Sequence, residues 1–187
     1  MIYFTSDLHL GHKNIIEYED RPWETVEDMT IGLIKNWNEV VRPNDEVYIL
    51  GDFAFQNSYM TPFLITDVLS RLNGKKHLII GNHDTNTRIN LYKENGLECL
   101  GYSTVLKYKK YNFYMSHYPT LTGNVDDSGL HHMTLNLFGH THQNVNFYED
   151  NFFMYHVGVD SHNCYPVSLD TVIEDIKNKY EECKDML

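Results

Sequence analysis

Five short polar clusters hold most of the residues in this chain that could do chemistry: Asp7-Leu8-His9, Gly51-Asp52, Gly81-Asn82-His83-Asp84, Ser116-His117 and Gly139-His140-Thr141-His142. Asp, His and Asn offer the oxygen and nitrogen atoms that borderline divalent metals accept. Seven of these residues are candidate ligands: Asp7, His9, Asp52, Asn82, His117, His140 and His142. One tetrahedral ion takes only about four ligands. Two ions sharing a carboxylate would use the whole set, and ions ~3.5–4 Å apart can clamp the attacking and leaving oxygens of a phosphoryl displacement. Taken singly, each cluster has a structural explanation, such as a turn at Gly51-Asp52 or a helix cap at Asn82-His83-Asp84. In combination those explanations would have to hold at every cluster.

Each cluster follows a short apolar run, at residues 2–5, 47–50, 77–80, 113–115 and 135–138. These runs are rich in Ile, Val, Leu, Tyr and Phe and stop at Gly or a polar residue, which predicts strands that end at the clusters. Ligands gathered at the carboxyl ends of strands form an active-site layout. In extended backbone, residues two apart face one side. Asp7 with His9, and His140 with His142, are therefore expected to grip a common ion. Helices are predicted over about 13–20, 26–41, 61–72 and 87–95. In the second of them Val26, Met29, Leu33, Ile34, Trp37, Val40 and Val41 share a face, and Thr25 with Asp28 resembles a capping box. Pro62 suits the first turn of the third. Strand and helix alternate through the first half, which implies right-handed crossovers between mostly adjacent strands. The second half predicts a hairpin of 102–108 and 111–115 around Lys109-Lys110, strands over 145–148 and 152–157, and a last helix from about 168. Residues 120–133 are polar and contain Gly, and are expected to form a mobile loop over the site, with Asp126-Asp127 in a solvated turn.

The 187 residues suit a single domain spanning 1–187. The formal net charge of −11 argues against long nucleic acid or an anionic membrane as partner, despite a local basic strip at Lys107, Lys109 and Lys110. It does not exclude a phosphorylated substrate, because bound cations reverse the local field. No run reaches transmembrane length, and from a strand-like start that reaches Asp7 so early no signal peptide is expected. Cys99, Cys164 and Cys183 are odd in number and scattered, so no disulfide framework is expected and a reducing cytoplasm is the expected compartment.

The order Asp-x-His, Gly-Asp, Gly-Asn-His-Asp, His, Gly-His-x-His resembles the calcineurin-like metallophosphoesterases, with the clusters covering residues 7 to 142. The resemblance implies an α/β fold, a four-layer α/β/β/α sandwich with two mixed sheets flanked by helices and a dinuclear metal site. It implies Asp7, His9 and His142 on the first ion, Asn82, His117 and His140 on the second, and Asp52 bridging both. Manganese is the expected metal, and the same donors accept iron, nickel, cobalt or zinc. A water bridging two cations becomes a hydroxide near neutral pH and attacks phosphorus in line. His83 matches the residue that protonates the leaving group, and Asp84 is expected to hold the His83 imidazole. His12, Asn14 and Arg21 are expected to reach the substrate phosphate, Arg21 through a bidentate fork. His131, His132 and His162 read first as loop histidines. The expected activity is hydrolysis of a phosphodiester on a small phosphorylated molecule or nucleotide. A phosphomonoesterase acting on a nucleotide or phosphoprotein, and a non-catalytic metal-binding scaffold, are the alternatives.

Overall fold

The chain builds two sheets whose strand ends meet. The computed structural model describes residues 1–55, 60–122 and 129–184. The first sheet contains β1 (Ile2–Thr5), β2 (Glu46–Leu50), β3 (Lys75–Ile79), β4 (Leu97–Gly101) and β9 (Val167–Ser168), in the order β4-β3-β2-β1-β9. β1 to β4 are parallel and β9 runs antiparallel to β1. The helices between the parallel strands are α1 (Lys13–Tyr18), α2 (Val26–Val40), α3 (Pro62–Arg71) and α4 (Asn86–Glu94). The second sheet has the order β5-β6-β7-β8, from Ser103–Tyr108, Tyr111–Ser116, Thr134–Phe138 and Met154–His156. There β5 and β6 form the expected hairpin, while β6, β7 and β8 are parallel. The helix α5 (Leu169–Lys184) closes the described chain. Two mixed sheets flanked by helices are thus the architecture the sequence predicts.

Period-two alternation splits the core. Tyr3, Val47, Ile49 and Leu78 pack with Met29, Leu33, Ile34 and Trp37 of α2 and with Ile65, Val68 and Leu69 of α3. Phe4, Leu50 and Ile79 point the other way, toward Phe113, Met115, Leu135 and Leu137 and Val172, Ile173 and Ile176 of α5. Thr25 caps α2 by accepting the Asp28 N–H at 3.1 Å, and Thr61 caps α3 by accepting the Leu64 N–H at 3.3 Å. No helix among the described residues is long and apolar enough to cross a membrane.

Two local expectations are corrected. Residues 145–148 form no strand; only a bridge joins Phe147 to Tyr155, and Tyr148–Asp150 turns with Glu149 and Asp150 at φ 47° and 62°. The strands β4 and β9 were not foreseen; β4 ends in Gly101 and β9 is two residues long, too little pattern to read. Of the expected loop over 120–133, the described part includes a short turn at Leu130–His132, and His131 lies against Tyr111, the first residue of β6. Residues 123–128, including Asp126-Asp127, fall outside the described residues.

Candidate metal centre

Six parallel strands, three from each sheet, deliver their carboxyl ends to one place. Asp7 and His9 follow β1, Asp52 follows β2, Asn82 to Asp84 follow β3, His117 follows β6, and His140 and His142 follow β7. The segment after β8 carries Asp160. Backbone bonds stitch these loops together: Asp7 N–H to the Gly51 carbonyl at 3.1 Å, His9 N–H to Asp52 at 3.0 Å, Gly139 N–H to His117 at 3.0 Å and Val159 N–H to Ser6 at 3.2 Å.

The residues do not sit on extended backbone as expected. Asp7, His9, Asp52, His140 and His142 have φ of 56°, 48°, 56°, 70° and 47°, in the left-handed region. The strands have already ended, and the chain turns sharply at each ligand so that neighbouring loops can bond across. Asp7 and His9 still converge, with His9 Nε2 3.9 Å from Asp7 Oδ1. His140 and His142 part company. His142 Nε2 lies 3.1 Å from His9 Nε2, whereas the exposed His140 ring packs against His117 and Tyr118 at centroid distances of 5.0 and 4.6 Å.

Each carboxylate spends one oxygen on fixing itself and leaves the other for the centre. Asp7 Oδ2 accepts from Ser6 Oγ at 2.6 Å and His140 N–H at 2.9 Å, while Oδ1 is buried and has no hydrogen-bond partner. Asp52 Oδ1 accepts the His83 N–H at 2.8 Å, and Oδ2 stands 3.6 Å from His9 Nε2 and 3.4 Å from His117 Nε2. His117 Nδ1 donates to the Leu50 carbonyl at 2.8 Å, which turns Nε2 toward Asp52 and Asn82 Oδ1, the latter at 2.8 Å. The His9 and His142 Nε2 atoms, which share one hydrogen bond, and two carboxylate oxygens, Asp7 Oδ1 and Asp52 Oδ2, thus face one another. Such a set needs cations, either protons or metals. Burial opposes charging His117, but the Asp52 and Asp7 carboxylates hold its pKa up to about 9. Burial raises Asp7 and depresses His9 to about 3. Asp7, His9 and His142, and separately Asp7, Asp52 and His117, place ligand atoms close enough to share an ion. The buried, donorless Asp7 Oδ1 is an atom that a metal could satisfy.

Glycines make the close approach possible. A β-carbon on Gly51, at φ +94°, would lie 2.3 Å from His117 Nδ1, and one on Gly139 would lie 2.3 Å from Ser6 Oγ and 2.6 Å from Asp7 Oδ2.

Two assigned roles change. Asp84 was expected to hold His83. Instead its buried carboxylate accepts backbone N–H groups of Asp52 at 2.8 Å, Gly81 at 2.9 Å and Phe53 at 3.2 Å, and burial raises its pKa to about 6. It ties the β2 loop to the β3 loop. The His83 ring stands beside His9 and Phe55, at 5.2 and 5.3 Å. Arg21 was expected to grip a substrate phosphate but is only 5% exposed. Its guanidinium is spent on the Asp7 and Leu8 carbonyls and on Asp160. Of the remaining expected phosphate contacts, His12 stacks on Phe55 at 3.8 Å and Asn14 is exposed, 3.4 Å from the Tyr18 hydroxyl. His131 and His132 are remote from the centre, and His162 Nε2 bonds the His156 carbonyl. Sequence reasoning missed Asp160, whose Oδ2 faces His142 Nδ1 at 2.9 Å. Only the short Gly-Val-Asp after an apolar run marks it, too common a pattern to single out.

Residues 1–163 match the model of a family described as the calcineurin-like phosphoesterase superfamily domain. An uncharacterized protein of Methanocaldococcus jannaschii is 35% identical, the alignment covering 94% of this chain and 91% of that protein. Among solved structures, a protein of unknown function from Aquifex aeolicus shares the fold at TM-score 0.67 and 23% identity, over 93% of this chain and 98% of that one. Pseudomonas putida nuclease MPE does so at TM-score 0.51 and 21% identity, over 74% of this chain and 60% of the nuclease.

Proposed function

Since the chain belongs to the calcineurin-like phosphoesterase superfamily, we propose that it is a dinuclear metal-dependent phosphoesterase, with phosphodiesters of small phosphorylated molecules or nucleotides as its substrates. The buried, donorless Asp7 Oδ1, facing two imidazole Nε2 atoms, is the observation that carries this reading. Asp7, His9 and His142 would hold one ion, and Asn82, His117 and His140 the other. Asp52 lies between them with Oδ2 toward both sets. Manganese suits these donors, as do iron, nickel, cobalt and zinc. When bound, the ions would supply positive charge at the phosphoryl oxygens and acidify a water.

The chain's own residues set the geometry. Asp84 clamps the backbone at Gly81, Asp52 and Phe53, so the shared carboxylate cannot drift. His83 is partly exposed, its backbone N–H anchored on Asp52 Oδ1 and its ring beside His9. A proton held on that ring can pass to the leaving oxygen as the phosphorus–oxygen bond breaks, which matters most for a basic alkoxide. This is the basis for preferring diesters. His12 and the exposed Asn14 are the remaining candidates for substrate contact.

The test is turnover of bis(4-nitrophenyl) phosphate and 4-nitrophenyl phosphate by protein stripped of metal and reloaded with manganese, alongside calorimetric titration of the ion. Two bound ions and faster turnover of the diester are expected. Faster turnover of the monoester would move the assignment to a phosphomonoesterase. Binding without turnover under any divalent metal would make the chain a scaffold.

A further inference from the structure

One side chain fixes three of the ligands assigned to the first ion. The Arg21 guanidinium donates from Nη2 to the Asp7 carbonyl at 2.8 Å and from Nη1 to the Leu8 carbonyl at 3.0 Å. The same fork grips Asp160 through Nε at 2.8 Å and Nη2 at 3.1 Å. Asp160 Oδ2 then accepts the His142 Nδ1–H at 2.9 Å. The backbone that carries Asp7 and His9, and the ring of His142, are therefore referenced to one planar group. Both members of the Arg21–Asp160 pair are buried, at 1% and 3% side-chain exposure, so water does not loosen the arrangement.

Of the second set, His117 and Asn82 are fixed by other groups, and only the His140 N–H reaches back, to Asp7 Oδ2. His117 Nδ1 rests on the Leu50 carbonyl, and the loop of Asp52 and Asn82 rests on Asp84. We propose that Asp160 and Arg21 are positioning residues for the Asp7–His9–His142 ion, and that they act on that ion and not on its neighbour. Asp160 locks His142 in the tautomer whose Nε2 lone pair faces the ion, as a carboxylate behind a ligating imidazole does. Arg21 is required as arginine, because a lysine ammonium cannot reach two carbonyls and a carboxylate in one plane. The inference rests on His142 being a ligand, as proposed above.

Two measurements test it. In metal-free protein with 15N-labelled histidine, at alkaline pH where the ring is neutral, NMR should show His142 protonated at Nδ1. Asp160→Ala should shift that proton to Nε2. Manganese titration should then show two ions in the unaltered protein. In Asp160→Ala and Arg21→Lys, one of them should weaken by about 10–100-fold, the range for losing such a partner, with the other unchanged. Asp160→Asn keeps an oxygen for Nδ1, so it should retain the tautomer and weaken the ion least; it and Arg21→Lys carry the test if the alanine variant does not fold. Equal weakening of both ions would mark a merely structural role and overturn the proposal, as would an Nε2-protonated His142 in the unaltered protein. No manganese bound with the expected tautomer would also overturn it, and would place the fault in the ligand assignment rather than in the Asp160–His142 bond.

Discussion

Replacing Asp84 separates two roles for its carboxylate, because only one of them predicts a loss of stability. Its two oxygens accept three buried backbone N–H groups: Oδ2 takes those of Asp52 and Gly81, and Oδ1 takes that of Phe53. In Asp84→Asn the amide oxygen can keep the first two, and the amide nitrogen then meets the Phe53 N–H donor against donor. One buried N–H loses its acceptor, at about 2 kcal/mol. A chain of this size loses ~2–4 °C of melting temperature per kcal/mol, so the variant should melt about 4–8 °C lower. Asp84→Ala orphans all three N–H groups, about 6 kcal/mol by the same reckoning, which is comparable with the whole stability of a typical domain. The assay is thermal unfolding by circular dichroism in excess chelator, so that metal affinity does not enter. If Asp84→Asn melted with the unaltered protein while losing turnover of alkyl esters as His83→Ala does, the backbone-clamp argument would fail and the His83-holding role would return.

Four further outcomes are expected. Asp52→Asn should lose both ions and depress turnover by more than about 100-fold, the upper end for loss of a partner outside the coordination shell; metal analysis that still finds two ions would refute the shared position. His83→Ala should keep both ions and lose about 10²–10⁴-fold in rate, more for alkyl than for aryl leaving groups, and a uniform loss across leaving groups would refute the proton-donor role. Gly51→Ala places a β-carbon 2.3 Å from His117 Nδ1 at φ +94°, so it should displace that ring, cost about 1–3 kcal/mol and lose the second ion preferentially; melting curves and metal stoichiometry read both effects. Manganese at about 100 times its dissociation constant should stabilise the chain by about 2.7 kcal/mol for each ion, reversed by chelator; a melting temperature blind to the metal would count against the centre.

Local pattern made the frame legible. The runs before Asp7, Asp52, Asn82, His117 and His140 are strands, and the face of Val26, Met29, Leu33, Ile34 and Trp37 is buried as its spacing requires. The clusters were legible because each combines several metal-binding residue types in a few positions. The left-handed turns were not, since nothing in Asp-Leu-His distinguishes a strand end from a turn just beyond it. Arg21 was misassigned for a different reason. Its partner Asp160 lies 139 positions away, and whether a guanidinium meets solvent or a buried carboxylate is decided only when the segment after β8 returns beside β1. Asp84 looked like a neighbour of His83 because it is next in sequence, yet the tight turn aims the two side chains apart, one into the wall and one into the opening.

The left-handed backbone at Asp7, His9, Asp52, His140 and His142 has an evolutionary consequence. Each residue that carries a β-carbon holds that conformation at a cost of ~1–2 kcal/mol, which glycine escapes. Asp and His enter this region more readily than other side chains, so the five together destabilise the fold by about 5 kcal/mol at most, borne by the cross-loop hydrogen bonds and the two cores. Substitution by glycine at His9, His140 or His142 would relax the backbone and delete a ligand in one step, whereas at Asp7 or Asp52 it would also orphan the His140 or His83 N–H. Drift toward a sturdier protein and drift toward an inert one therefore run in the same direction at the three histidines, and only selection on the chemistry itself can keep the two apart.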